Sequence, residues 1–457
     1  MRVMHYLFGL PPIRGGGLVK YVLDLAEGQK NQGLDVCLLV PSEIRKGKET
    51  SIRKRSYSGF TCYHVINPVL VSCGKRISDM SVLFECGDLE IYIKFLKTAS
   101  PDVIHIHSLM GLHLAFLQAA KQLRIPLIYT THDYYGICLK CSNFAENGAE
   151  CRKDGSMCGM CMGGITKTSG LQRQHMEYYA WLKRNFVVKW LEYSKKILKL
   201  KWWLRGKRKK FSISASDKNP QFDTDSFKRL KSHYKEMFSY ITFFHFNSSQ
   251  TETVYKMSLE NIEGKVIHIS NHSVADNRKI HSYGKTLKLA YLSNRQTIKG
   301  YEVLMDNLDR LYNDGFHDFE CHIYCNEDRF GVPYLRPHKP YTEKSIKKVF
   351  ENMDVLIVPS LWKETFGMVA LEAISYGVPV IMSENVGAKD IFDSNKGMGI
   401  KVDIENDKNA LYDAIKKVYE NRQLLIQMNK NIMEAKIELC YDRHIKEITE
   451  LYESVLD

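Results

Sequence analysis

No run of about 18 uncharged apolar residues, the length that crosses a bilayer as a helix, occurs anywhere in these 457 residues. A membrane span is therefore not expected. Proline is scarce, at 12 residues, which argues against extended disorder. A secretory leader is not expected either. The opening "MRVMHYLFGLPPIRGGG" holds an apolar run too short for one, and a Gly-rich turn interrupts it. It reads instead as a first β-strand. The 12 cysteines do not suggest a secreted disulfide framework, since the chain is long and carries no export signal. These absences point to a cytoplasmic globular protein, and its length predicts two domains of similar size.

The formal net charge is +13, and it is not spread evenly. Residues 171–210 hold 13 Lys/Arg against two Glu, leaving +2 for the other 417 residues. The excess is local. Within it, "YYAWLKRNFVVKWLEYSKKILKLKWWLRGKRKK" mixes Trp181, Phe186, Trp190 and Trp203 with lysines at loosely helical spacing. A Trp-bearing, Lys-rich amphipathic segment is expected to bind an anionic membrane surface, each cation there contributing about 1 kcal/mol. The plainer alternative is a solvated helical hairpin packed on its own domain. Nucleic-acid binding is not expected, because the remaining surface is nearly neutral and no recognition module appears.

Apolar strands alternate with helical periodicity along most of the chain. "RVMHYLFG" and "LDVCLLVP" flank a helix that places Leu18, Val22, Leu25 and Ala26 on one face. "PDVIHIHS", a helix near 111–122 and "PLIYTTHD" continue the pattern, which stops over about 165–235, an insertion. Strands resume at "ITFFHFNSS" and "KVIHIS", before a linker, "SNHSVADNRKIHSYGK". A second alternating set runs from "LKLAYLS" through "FECHIYC" and "DVLIVPS" to "PVIMS". This predicts an α/β protein with two doubly wound parallel-sheet, Rossmann-like domains facing across a cleft. The expected boundaries are 1–276 and 277–440, with a helix at 441–457 packing back on the first domain.

Ligands bind such sheets at the carboxyl ends of the strands. After the first strand stand Gly15, Gly16 and Gly17, whose backbone N–H groups can approach an anion at a helix N-terminus. After "PLIYTTHD" come His132 and Asp133; after "LKLAYLS", Arg295 and Lys299; after "DVLIVPS", Glu364 and a helix carrying Glu372. Cations and helix N-termini suit a diphosphate, and carboxylates accept hydrogen bonds from sugar hydroxyls. A nucleotide sugar has both.

The run Glu364–Glu372, with Phe366, Gly367, Ala373, Gly377 and Pro379 in place, resembles the E-x7-E signature of glycosyltransferase family 4. Its setting between "DVLIVPS" and "GVPVI" strengthens the match, and the resemblance covers nearly all of the chain outside 165–235. It implies the GT-B fold and retaining, metal-independent transfer from a nucleotide-sugar donor, with no cofactor required. Glu364 would contact donor-sugar hydroxyls and Glu372 the ribose. Backbone groups of Phe366, Gly367 and Met368 would meet the sugar and distal phosphate, and Gly16 and Gly17 would line the donor site. Arg295 and Lys299 would neutralise the departing diphosphate, with His132 beside the transferred sugar. Ser293-Asn294 stand where the family often has glycine before the arginine. The resemblance further implies a lipid-linked saccharide acceptor in surface-polysaccharide assembly, at the inner face of the cell membrane. Alternatives are a nucleotide-sugar epimerase or phosphorylase of the same fold, and a non-enzymatic basic membrane-binding protein.

Three other patterns stand out. Cys138, Cys141, Cys151, Cys158 and Cys161 contain two C-x2-C pairs at zinc-ribbon-like spacing, so a structural zinc is expected there. His105 and His107 share one face of a strand, but without a local third ligand they read as structural, His107 as a polar cleft wall. Asp223-Thr-Asp225 mimics a D-x-D metal motif but follows no apolar strand, and is read as a decoy.

Overall fold

A computed structural model describes residues 1–45, 49–73, 76–77, 80–142, 158, 165–166, 224–325, 329, 331–342 and 344–456. In chain order the strands are β1 (Arg2–Tyr6), β2 (Asp35–Pro41), β3 (Ser51–Tyr57), β4 (Phe60–Ile66), β5 (Arg76–Ile77), β6 (Val103–Ile106), β7 (Leu127–Thr130) and β8 (Ile165–Thr166). They continue with β9 (Phe243–Phe246), β10 (Gly264–Val266), β11 (Leu287–Tyr291), β12 (Phe319–Ile323), β13 (Leu335–Pro337), β14 (Val355–Val358), β15 (Val380–Ser383) and β16 (Gly399–Val402). The helices are α1 (Gly17–Asn31), α2 (Leu89–Ala99), α3 (Leu114–Gln122), α4 (Thr224–Phe238), α5 (Ser249–Ser258) and α6 (Tyr301–Asn313). After them come α7 (Ile346–Glu351), α8 (Met368–Ser375), α9 (Lys389–Ser394), α10 (Ala410–Glu420), α11 (Gln423–Glu434) and α12 (Tyr441–Leu456).

The first sheet has the order β10-β9-β7-β6-β1-β2-β4-β3, and the second β13-β12-β11-β14-β15-β16. All pairings in the two sheets are parallel except that of β3 with β4. Parallel strands are covered on both faces, so β6, β7, β14 and β15 are buried at every position instead of alternating. The exposed strand β3 closes one edge with Arg53, Lys54 and Arg55, charges that discourage pairing with another chain. Buried Glu43 gathers Arg45, Arg53 and Arg55 around this edge.

The β3–β4 hairpin, α2, β13 and β16 are elements the sequence pattern did not single out. Helix α4 also begins inside the stretch read as an insertion. Phe227, Leu230, Tyr234, Met237 and Phe238 recur at helical spacing and are buried in the first domain's core, which carries the helix back to Thr224. Asp225 thus lies on a helix, 3.8 Å from Lys228 and 85% exposed, while Asp223 falls outside the described residues.

Helix α12 lies on the first domain. Tyr452 joins Gln29 of α1 and His105 of β6 by hydrogen bonds of 3.2 and 2.6 Å, and His444 meets the Tyr21 hydroxyl at 2.8 Å. One apolar core runs from Val3 and Val22 past Ile448 to Val358 and Phe366, so the two sheets share buried contacts. Among the described residues no helix is long and apolar enough to cross a membrane.

Candidate functional site

Glu364 stands on the loop between β14 and α8, with 9% of its surface exposed. Lys299 donates to its Oε1 at 2.6 Å, and the Ser360 hydroxyl donates to its Oε2 at 2.5 Å. Both carboxylate oxygens are therefore engaged. The Lys299 ammonium also lies over the Trp362 ring, 5.1 Å from its centroid. Lys299 comes from a single 3-10 turn after β11, and Gly300 makes its position possible. With φ at +72°, a Cβ on Gly300 would fall 1.7 Å from the Pro359 carbonyl oxygen. The loops after β11 and β14 cross at this point, and only glycine leaves the room.

Eight residues later Glu372 sits on α8, 7% exposed. The helix starts at Gly367, whose left-handed backbone (φ +91°) turns the chain out of the Glu364 loop. Tyr341 donates to Glu372 Oε2 at 3.3 Å and Ser273 to Oε1 at 3.4 Å. Burial raises its pKa, opposed by these hydrogen bonds and by the nearby charge of Lys20. Lys20 belongs to α1 in the first domain. Gly15, Gly16 and Gly17, exposed at the start of that helix, have nothing within 4 Å of where a Cβ would stand. Their lack of side chains is not a packing requirement.

Across the cleft, the first domain meets the Glu364 loop at the ends of β7 and β9. The Thr365 hydroxyl donates to the His132 carbonyl at 3.0 Å, and Ser248 donates to the Thr365 carbonyl at 2.7 Å. Gln250 donates to the Glu364 carbonyl at 3.0 Å and to that of Asn385 at 2.6 Å. His132 is part-buried, edge-on to Tyr21 at 4.7 Å, and its Nε2 lies 3.0 Å from His107 Nδ1. Burial, with His245 nearby, lowers its pKa to about 3, so the ring is neutral at pH 7. Burial also pushes the neighbouring Asp133 up to about 6.

Of the residues singled out by sequence, Lys299 and Glu364 meet directly, and His132 reaches the same loop through its backbone. Phe366 is buried and Met368 opens α8. Arg295 is half-buried with its guanidinium over the Tyr301 ring, 4.9 Å from the centroid. Ser360, Lys20, Ser273, Tyr341, Ser248, Gln250 and the side chain of Thr365, whose backbone alone was singled out, were missed. Ser360 alone had a local signal, closing the apolar "DVLIVPS" one turn before Glu364. Cys138, Cys141 and Cys158 are half-buried against the first domain's core, and Cys151 and Cys161 lie outside the described residues, as does the basic stretch 171–210. Among the described residues the cluster whose ligand atoms all lie within 4.8 Å is His5, His105 and His107. His5 on β1, in register with His105, is the neighbour absent from the local sequence.

Two open parallel α/β domains, with the strand ends of both converging on one loop, define the GT-B class. Solved structures agree. The sucrose-phosphate synthase of Thermosynechococcus elongatus superposes with TM-score 0.57 at 15% identity, covering 99% of this chain and 98% of that one. HepE of Anabaena, solved in complex with UDP-glucose, gives 0.56 at 13% identity, covering 99% and 100%. In sequence, residues 15–191 match the family model described as Glycosyltransferase Family 4, and residues 338–435 that of Glycosyl transferases group 1. A probable sucrose-phosphate synthase of Oryza sativa subsp. japonica is 24% identical over 168 residues, 36% of this chain but only 16% of that protein's length. Over these two stretches the chain is similar to glycosyltransferase family 4 and to the group 1 glycosyl transferases.

Proposed function

We propose that this protein is a retaining glycosyltransferase that moves a sugar from a nucleotide-sugar donor to a lipid-linked saccharide in surface-polysaccharide assembly. The observation that carries the reading is the Lys299–Glu364 pair on the loop after β14, eight residues before buried Glu372, whose carboxyl feels the charge of Lys20 on α1. In this scheme the bond from the anomeric carbon to the distal phosphate breaks, and both its electrons leave with the phosphate oxygen. The acceptor oxygen bonds that carbon on the same face, and its proton passes to the departing phosphate. Positive charge grows on the sugar ring and negative charge on the diphosphate. Lys299, Arg295 and N–H groups of the Phe366–Met368 turn stabilise the latter, a fixed donor of this kind being worth about 3 kcal/mol. They supply the charge by themselves, so the scheme requires no metal ion. Glu364 orients sugar hydroxyls and Glu372 accepts from the ribose. His132, neutral at pH 7, offers the sugar a hydrogen bond and not a charge.

UDP-glucose in the HepE complex supports a nucleotide-sugar donor. The local charge of 171–210 supports an acceptor held at an anionic membrane. Thermal-shift titration with UDP-, GDP- and ADP-sugars should single out one donor. Incubation of that donor with lipid-linked saccharides should then give a glycoside of unchanged anomeric configuration. An epimerised sugar formed without acceptor, or an inverted product, would overturn the reading. Co-sedimentation with phosphatidylserine vesicles, compared with phosphatidylcholine alone, tests the membrane part.

A further inference from the structure

A single file of buried hydrogen bonds leads from His132 through the first domain. His132 Nε2 meets His107 Nδ1 at 3.0 Å, and His107 Nε2 meets His5 Nδ1 at 3.0 Å. His5 Nε2 meets Gln29 Oε1 at 2.8 Å, and Gln29 Nε2 donates to the Tyr452 hydroxyl at 3.2 Å. Tyr452 meets His105 Nδ1 at 2.6 Å, and His105 Nε2 meets the Thr130 hydroxyl at 2.5 Å. Thr130 meets His245 Nδ1 at 2.9 Å, and His245 Nε2 ends the file on the Ile267 carbonyl at 2.8 Å. Strands β1, β6, β7 and β9 and helices α1 and α12 each contribute. Gln29, His5, His105, Thr130, His245 and Tyr452 have no exposed surface at all.

The end of the file decides its direction. A carbonyl only accepts, so His245 carries its proton on Nε2. A neutral imidazole then has a lone pair on Nδ1, which accepts from Thr130. The Thr130 oxygen accepts in turn from His105 Nε2–H. His105 Nδ1 accepts from Tyr452, whose oxygen accepts from the Gln29 amide. Gln29 Oε1 accepts from His5 Nε2–H, His5 Nδ1 from His107 Nε2–H, and His107 Nδ1 from His132 Nε2–H. Reversing the file would set two lone pairs against each other at Ile267.

We propose that this file is a positioning device: it holds His132 as the Nε2–H tautomer, leaving Nδ1 as the proton-accepting nitrogen of the ring. Neutrality of the members follows from their burial. Desolvation lowers His5 and His245 to about 4, and with the neighbouring histidines holds His105 and His107 well below the ordinary imidazole value. A metal fits less well. Both nitrogens of each of His5, His105 and His107 already have partners, and 3.0 Å between His5 and His107 is a shared-proton distance. Two ligands of one tetrahedral zinc, each about 2.0–2.1 Å from the ion, would stand roughly 3.3 Å apart. Helix α12 thereby acquires a role at the cleft, through Tyr452, without reaching it.

The tautomer itself does not depend on the proposed function; its use, presenting an acceptor nitrogen to a substrate hydroxyl, rests on that reading. The test is ring-nitrogen NMR of the full chain labelled with 15N-histidine, with the His132 signals assigned by their loss in His132→Asn. The wild type should show protonated Nε2 and unprotonated Nδ1. Tyr452→Phe and Thr130→Val, which cut the file at two places, should each let both tautomers of His132 appear. A protonated Nδ1 in the wild type, or a tautomer unmoved by both cuts in folded variants, would overturn the proposal. These spectra need no donor, so they stand apart from the activity. Turnover in the same variants, a several-fold fall in kcat with donor KM unchanged, tests whether His132 serves the transfer.

Discussion

Thr365 donates its side-chain hydroxyl to the backbone carbonyl of His132 at 3.0 Å, joining the loop of one domain to a strand end of the other. Ser248 reaches the same residue from β9, as the capping residue of α5. The domains are thus fastened beside the candidate site itself. Thr365→Val should lower stability by about 1 kcal/mol, the ordinary worth of one such bond. Ser248→Ala should cost more, since its hydroxyl also caps a helix. Thermal unfolding measures both, and an unchanged melting temperature in both variants would count against this fastening.

Glu364→Gln should reduce turnover at least about 100-fold while the protein stays folded, as should Lys299→Met. Each single change strands a partner that is largely out of water, so the two effects should not add. A double-mutant cycle on kcat/KM checks the coupling. Near-normal turnover by folded Glu364→Gln would remove the residue from the chemistry.

Glu372→Gln should weaken donor binding about 10- to 100-fold, the range for losing a hydrogen bond to a charged acceptor. It should also leave the free protein as stable or more stable at pH 7. The folded-state pKa of Glu372 is raised by burial, so its contribution to stability is full at low pH and lost as pH rises through that value. Removing the charge relieves that loss. Donor titration and thermal unfolding of the same variant separate the two effects.

Acid should unfold this protein well before its carboxylates are protonated. Six fully or almost fully buried histidines, His5, His105, His107, His113, His245 and His444, have pKa values lowered chiefly by burial, His5, His113 and His245 to about 4. In the unfolded chain they take up protons near pH 6.5, so stability is full above that pH and is lost as pH falls towards the folded values. At pH 5 each of the three held near 4 costs about 2 kcal/mol, together comparable with the whole stability of a typical domain. Asp133, pushed up to about 6, runs the other way, its contribution falling as pH rises towards 6. Glu85, Asp354 and Glu372, also raised by burial, run the same way as Asp133, and these four carboxyls do not offset six imidazoles. Unfolding followed by circular dichroism between pH 7 and 4 should show the loss, and His245→Asn should shift it to lower pH.

Gly300→Ala should displace the turn that carries Arg295 and Lys299, because the added carbon would overlap the Pro359 carbonyl. Turnover should fall sharply, since the Lys299–Glu364 pair depends on that crossing. Gly17→Ala meets no neighbour and needs no left-handed backbone, so it should leave the fold intact, and any rise in its donor KM reports the turn directly. A Gly300→Ala enzyme with normal kcat/KM would show that the crossing tolerates a side chain.

The sequence by itself determined the two parallel sheets, because strands buried on both faces are continuous apolar runs between helices of 3.6-residue period. It also marked the Glu364–Glu372 loop and helix, whose parts lie within nine residues of one another. The charged edge strand β3 escaped, since an exposed strand loses the apolar signature. Only the tertiary structure decided what surrounds the two acids. Tyr341 lies 31 residues from Glu372 and Ser273 lies 99, and His105 meets Tyr452 across 347. Periodicity records which face of an element is buried, and says nothing about which distant polar group waits there. Those partners are chosen by chain topology, where strand ends converge and a buried donor must find its acceptor.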